Sequence, residues 1–210
     1  MAIGKNIRLT VSILLLGIAV VGGITIINHP NRDEATSHEA ANNLLPTAIS
    51  FNLIDHHGQA VTEKNWHGKY LLVYFGFTSC PDICPTELNN IGVALEKMTE
   101  SSADQLQVLF VSVDHARDTP TQMAEFLKAF NTSIVGLTGN QEAIDSLASQ
   151  LKVYHQLLAS NSKNASDNHY EVSHSGFIYL VDTKLNVIKV FSSGTAAEEI
   201  AHTIDLAITQ

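Results

Sequence analysis

Apolar residues fall into three patterns along this chain: a long uncharged run near the start, short continuous runs further on, and helically spaced positions between them. The long run, Leu9 to Ile27, holds 19 residues without a charge. As a helix it spans about 28 Å, close to a bilayer core. Residues 30–46 are polar and lack a strand pattern, which predicts a linker. "SFNLIDHHGQAV" predicts a strand, a turn at His56-His57-Gly58 and a short returning strand. "KYLLVYFGF" (69–77) and "LQVLFVSV" (106–113) are the runs expected of strands buried on both faces.

Helical spacing joins Leu88, Ile91, Leu95 and Met98, then Met123, Phe126, Leu127 and Phe130, then Ile144, Leu147 and Leu151. Thr119 before Pro120 marks the second of these helices, as cap and first position. "SGFIYLVD" and "NVIKVFS" predict two strands across a turn near Thr183-Lys184. Ile200, Ile204 and Ile208 share one face of a final helix. The polar stretch 159–170 is expected to be a surface loop. Strands alternating with helices in the first half imply a parallel core, to which the late hairpin adds antiparallel strands.

Charge places these elements relative to a membrane. Lys5 and Arg8 precede the apolar run, and the first acidic residue after it is Asp33. The positive-inside rule then leaves residues 1–8 in the cytoplasm, makes 9–27 an anchor and exports the rest. A cleaved signal peptide with a site near Val21-Gly22-Gly23 is the competing reading; the run's continuation to Ile27 favours the anchor. No Arg-rich amphipathic leader precedes it, so a bacterial inner-membrane protein with a periplasmic domain is expected. The exported part carries 10 basic and 21 acidic residues, a formal charge of −11. It has no basic run, which excludes nucleic acid as a partner.

The two cysteines of the 210-residue chain, Cys80 and Cys84, lie in "YFGFTSCPDICPTEL". Pro85 has no N–H and belongs at the start of a helix, with Cys84 near its cap and Cys80 folded back by a tight turn. Both sulfurs would then face the positive helix end, which lowers a thiol pKa. Such a dithiol suits disulfide exchange or a soft metal. Structural zinc wants four protein ligands, whereas Cu(I) tolerates fewer and Cu(II) can add an imidazole. Of ten histidines, His174 in "YEVSHSGFIYLVD" is the first candidate third ligand. His115 is the next, at the strand edge that also delivers Cys80.

"FGFTSCPDICPTEL", "VSVDHARDTPTQMAEFLKAF" and "YEVSHSGFIYLVD", in that order, resemble the Sco/SenC family of membrane-anchored copper proteins; the likeness covers about residues 48–208. The resemblance implies a thioredoxin-like α/β fold, a mixed sheet flanked by helices with an N-terminal β-hairpin, over 47–210. Residues 28–46 are then the linker and 9–27 the transmembrane helix. It further implies one copper, Cu(I) or Cu(II), held by Cys80, Cys84 and His174. The implied role is a metallochaperone for the dinuclear copper centre of cytochrome c oxidase subunit II, loaded by an upstream copper donor. The alternative is a thioredoxin-like reductase of the acceptor cysteines, with Cys80 attacking and Cys84 resolving. His115 stands where many members have proline, and Ser173 where some have aspartate. Cys84-Pro85-Thr86-Glu87 also resembles a peroxiredoxin motif, but Pro81 occupies the position of its activating threonine.

Overall fold

The computed structural model describes residues 48–130, 133–159 and 170–209. The expected cytoplasmic segment, anchor and linker lie outside these residues. Among the described residues, no helix is long and apolar enough to cross a membrane. The chain opens with the expected hairpin, β1 (Asn52–Asp55) and β2 (Ala60–Thr62). Its turn places Gly58 at φ +81°, a left-handed conformation that suits glycine. Asp55 Oδ1 closes this turn by accepting the N–H groups of His57 and Gln59.

β3 (Tyr70–Gly76) and β4 (Leu106–Ser112) run parallel, in register from Tyr70 opposite Leu106 to Gly76 opposite Ser112. Between them the chain forms α1 (Ile83–Lys97) and the single turn α2 (Glu100–Ala103). α3 (Pro120–Leu127) starts as its sequence dictates: the Thr119 side chain accepts from Gln122 N–H, and Pro120 fills the first position. β5 (Ile134–Thr138), α4 (Gln141–Gln150), β6 (His155–Ala159), β7 (Tyr170–His174), β8 (Ile178–Val181), β9 (Val187–Phe191) and α5 (Ala197–Thr209) complete the order.

Seven strands form one mixed sheet in the order β2-β1-β5-β4-β3-β8-β9. β3, β4 and β5 are parallel, while β1 and β8 join them antiparallel. β3 thus has neighbours on both edges, and its residues from Leu71 to Phe75 are essentially inaccessible to solvent. One face of the sheet carries Tyr74, Phe110 and Gly136. Met123 and Leu127 of α3 close on Gly136, Cys84 of α1 closes on Gly76, and Tyr70 Oη donates to the Ala207 carbonyl of α5. Those contacts put three helices on that face.

Three strands were not among the expected elements. β5 contains Gly136 where an apolar side chain would be expected, because α3 already fills that space: a Cβ there would lie 2.7 Å from Leu127. β6 and β7 form a separate two-stranded ribbon, with His155 opposite His174 and Ala159 opposite Tyr170. They flank the segment expected to be a loop, and Ala159 and Tyr170 extend strand structure into its ends. α1 also begins two residues before the expected start. Ile83 is its first residue and Cys84 its second, with Asp82 at the cap position. Pro85 is tolerated there because N–H groups in the first turn have no intrahelical acceptor.

Candidate metal centre

One loop, the start of α1 and one ribbon meet at the C-terminal end of β3. The loop carries Cys80 and leads into α1. Cys80 N–H donates to the Phe77 carbonyl at 3.2 Å, and Cys84 N–H points at the Cys80 sulfur at 3.5 Å. Both thiols are free and buried, and Cys84 is fully inaccessible. Gly76 permits this depth. A Cβ at that position would stand 2.9 Å from Cys84 Sγ and 2.7 Å from Phe110 Cε2.

The ribbon delivers His174 as the last residue of β7. Its Nε2 lies 3.3 Å from Cys84 Sγ, and its Nδ1 lies 3.1 Å from the Ser175 carbonyl. A carbonyl only accepts, so Nδ1 carries the proton and Nε2 turns its lone pair towards the sulfur. The rings of Phe77 and Tyr74 stand edge-on to this imidazole, at centroid distances of 5.7 and 6.4 Å. Burial lowers the His174 pKa, only partly offset by the bond to Ser175, and therefore keeps the ring neutral. A neutral imidazole is the ligating form.

Cys80, Cys84 and His174 each turn one donor atom to a common point; the three atoms lie within 4.8 Å of one another. His115 does not belong to this group. An open cleft of about 370 Å³ runs beside it, bordered by Pro81, Asp82, Ile83 and Val172. Ser173 borders the same cleft, and the imidazole is oriented by the Ser175 carbonyl instead.

The expected lowering of both thiol pKa values is corrected at Cys84. Burial pushes this thiol up to about 12, although a hydrogen bond to the Phe77 backbone opposes the rise. The helix end is nearby, but removing the sulfur from water outweighs its partial charge. In the free protein Cys84 is therefore a thiol, and its S–H is the group that can donate to His174 Nε2.

Three further residues support the centre. Asp118 is buried and accepts from Thr78 N–H at 2.8 Å, Thr78 Oγ1 at 2.6 Å and Ser112 Oγ at 2.6 Å, which ties the Cys80 loop to the end of β4. Glu87, one turn after Cys84, accepts through Oε1 from Ser193 Oγ and Gly194 N–H. Tyr74 is fully buried beside Cys84. Sequence reasoning passed over all three. Tyr74 carries a usable signal: a hydroxyl within a strand buried on both faces needs an explanation.

The sheet order and the flanking helices define a thioredoxin-like protein, and the Cys-Cys-His group sets it apart as one that gathers soft donors at a strand end. Residues 39–209 match the SCO1/SenC family model. The chain belongs to the SCO1/SenC family. It is 41% identical over 155 residues to the protein sco1 of Schizosaccharomyces pombe, covering 74% of this chain and 58% of that one. It is 34% identical to a SCO2-like protein of Rickettsia prowazekii, with 89% of each chain covered. The crystal structure of Arabidopsis thaliana ScoI with copper bound superposes with a TM-score of 0.70 at 37% identity, covering 79% of this chain and 99% of that one. The chain spans 58% and 46% of the lengths of the fission-yeast relative and an Arabidopsis mitochondrial homologue.

Proposed function

We propose that this chain is a copper metallochaperone that holds one copper ion through Cys80, Cys84 and His174. The observation that carries the reading is the imidazole. Its Nε2 stands 3.3 Å from the Cys84 sulfur and turns its lone pair towards it. Disulfide exchange does not require a third donor, whereas Cu(II) gains from an imidazole added to two thiolates. Two thiolates and one imidazole suit Cu(I) and Cu(II), while structural zinc would want a fourth protein ligand. Copper bound to relatives of this chain, as in Arabidopsis ScoI, supports the same choice.

Loading requires the dithiol to be reduced, and copper displaces the thiol protons. The cleft at Pro81 and Ile83 leaves one side of the donor group open, so an acceptor's thiolate or imidazole can enter before this chain's ligands leave. The acceptor in this reading is the dinuclear copper centre of cytochrome c oxidase subunit II, and an upstream donor supplies the ion. The apolar run 9–27, with Lys5 and Arg8 before it, would hold the domain on the periplasmic side of a bacterial inner membrane. The same thiols could serve as a reductase of acceptor cysteines, with Cys80 attacking, but that chemistry does not require His174.

His174→Ala separates these readings. Copper ligation predicts a strong loss of Cu(II) affinity and a smaller loss for Cu(I), because two thiolates already satisfy Cu(I). Unchanged Cu(II) affinity would remove His174 from the site. Transfer is tested by mixing the copper-loaded chain with the apo copper domain of subunit II and following copper spectroscopically. Retention of the ion by the loaded chain would contradict the chaperone role.

A further inference from the structure

The centre of the fold contains a polar atom that the donor group leaves unexplained. Tyr74 lies in the middle of β3 with no accessible surface, and its hydroxyl has no hydrogen-bond partner among the described residues. A buried hydroxyl left unpaired is costly, and native proteins seldom keep one without a reason. The phenol sits where two of the donor groups meet. It lies close enough to Cys84 for an electrostatic and a weak side-chain hydrogen-bonding interaction, short of a bond of normal geometry, and its ring stands edge-on to His174 at 6.4 Å. Gly76, on the same face two residues along, lets the Cys84 sulfur approach the sheet.

In the metal-free protein the Cys84 sulfur is engaged with His174 Nε2 at 3.3 Å, and a thiol sulfur is at best a weak acceptor for a further donor. Ligation changes the sulfur. As a thiolate it becomes a strong acceptor with lone pairs beyond the one given to the metal, and the adjacent phenol is a neutral donor beside it, in addition to the Phe77 backbone. We propose that Tyr74 is a positioning and tuning residue of the copper centre, whose hydroxyl donates a hydrogen bond to the Cys84 thiolate when copper is bound. This inference rests on the copper reading above and assigns a role to a residue outside the ligand set.

The consequence is a tyrosine whose polar atom burdens the empty protein and supports the loaded one. A hydrogen bond to a metal-bound thiolate lowers the energy of its donor electrons and helps the sulfur carry its charge in an apolar pocket. Both effects retain copper, and the first shifts the sulfur-to-copper absorption. Glu87 offers the competing explanation, since its Oε2 is also buried without a partner and its charge is felt by the phenol. If Tyr74 served Glu87 instead, its hydroxyl would stabilise the fold with or without copper.

Tyr74→Phe removes the oxygen and leaves the ring. Full-length wild type and variant, reduced, anaerobic and in detergent, are compared in three ways: urea unfolding without metal, visible absorption with one equivalent of Cu(II), and Cu(II) affinity against a competing chelator. The inference predicts an unfolding midpoint equal to or above wild type, a thiolate-to-copper band moved to longer wavelength, and an affinity lowered about ten- to hundredfold, the range for a hydrogen bond to a charged group. An unchanged band and affinity would overturn it. So would a lowered midpoint with an unchanged band, the signature of a bond to Glu87. A wild type that binds neither Cu(II) nor Cu(I) would reject the copper reading itself, and this inference with it.

Discussion

At the scale of single residues, the centre depends on what is absent as much as on its donors. Gly76 must lack a side chain, because the Cys84 sulfur and the Phe110 ring occupy the space a Cβ would take. Neither neighbour can give way easily, as both are fully buried. Gly76→Ala is therefore expected to cost about 2 kcal/mol of stability through overpacking and to displace Cys84 from His174. Urea unfolding combined with copper titration checks both effects; a variant with wild-type stability would mean the site is looser than its distances indicate. Cys84 also shows what residue-level reasoning could not reach. Its sequence neighbours suggested a helix end that lowers the thiol pKa, but burial moves it the other way. The balance depends on β3 and the ribbon, neither of which is adjacent to it in sequence.

At the scale of elements, the donors are held by three connections: the loop after β3, the first turn of α1 and the ribbon β6–β7. The first is fixed through Asp118, which accepts two hydrogen bonds from Thr78 and one from Ser112. Asp118→Ala leaves those donors unpaired in a buried setting, with a cost of about 3 kcal/mol. The Cys80 loop should then lose its anchor, and hydrogen exchange at residues 78–82 should accelerate more than exchange in β8. Uniform acceleration across the domain would show that Asp118 stabilises the whole fold and has no particular hold on the loop. The strands β3 and β4 were readable as unbroken apolar runs. β5 was not, since Gly136 interrupts its pattern to accommodate Met123 and Leu127 of α3. β6 and β7 were hidden for another reason: a ribbon outside the main sheet shows no long apolar run, and its register pairs residues 19 positions apart, His155 with His174.

For the whole molecule, the buried thiol links stability to pH. Cys84 rises from 9.0 to about 12 on folding, and burial also lifts Tyr179 to about 12. For both groups the folded protein keeps a proton that the unfolded chain gives up. Their contribution is fully present below the unfolded pKa values and is lost as pH rises through about 9 to 12. Each group contributes a slope of about 1.4 kcal/mol per pH unit within its own window, from about 9 to 12 for Cys84 and from about 10 to 12 for Tyr179. The metal-free protein should therefore lose unfolding free energy steeply above pH 9, with a shallower slope in Cys84→Ala. Equal slopes in the two proteins would mean the thiol is not held protonated by the fold. The architecture was legible at this scale: the hairpin, the parallel core and the late antiparallel strands follow from pattern and order. His174 was a candidate third ligand from its place ahead of an apolar strand and the resemblance singled it out; its convergence with Cys80 and Cys84 needed the fold, because 90 residues separate the histidine from Cys84.

The central claim is that the turn between β3 and α1 is a metal clamp. Its most direct test is anaerobic titration of the fully reduced, full-length chain with Cu(I) against a competing chelator, comparing wild type with the double variant Cys80→Ser/Cys84→Ser. The account predicts tight one-to-one binding that disappears in the double variant. Weak binding that the double variant leaves unchanged would contradict it, and would assign the thiols to electron exchange.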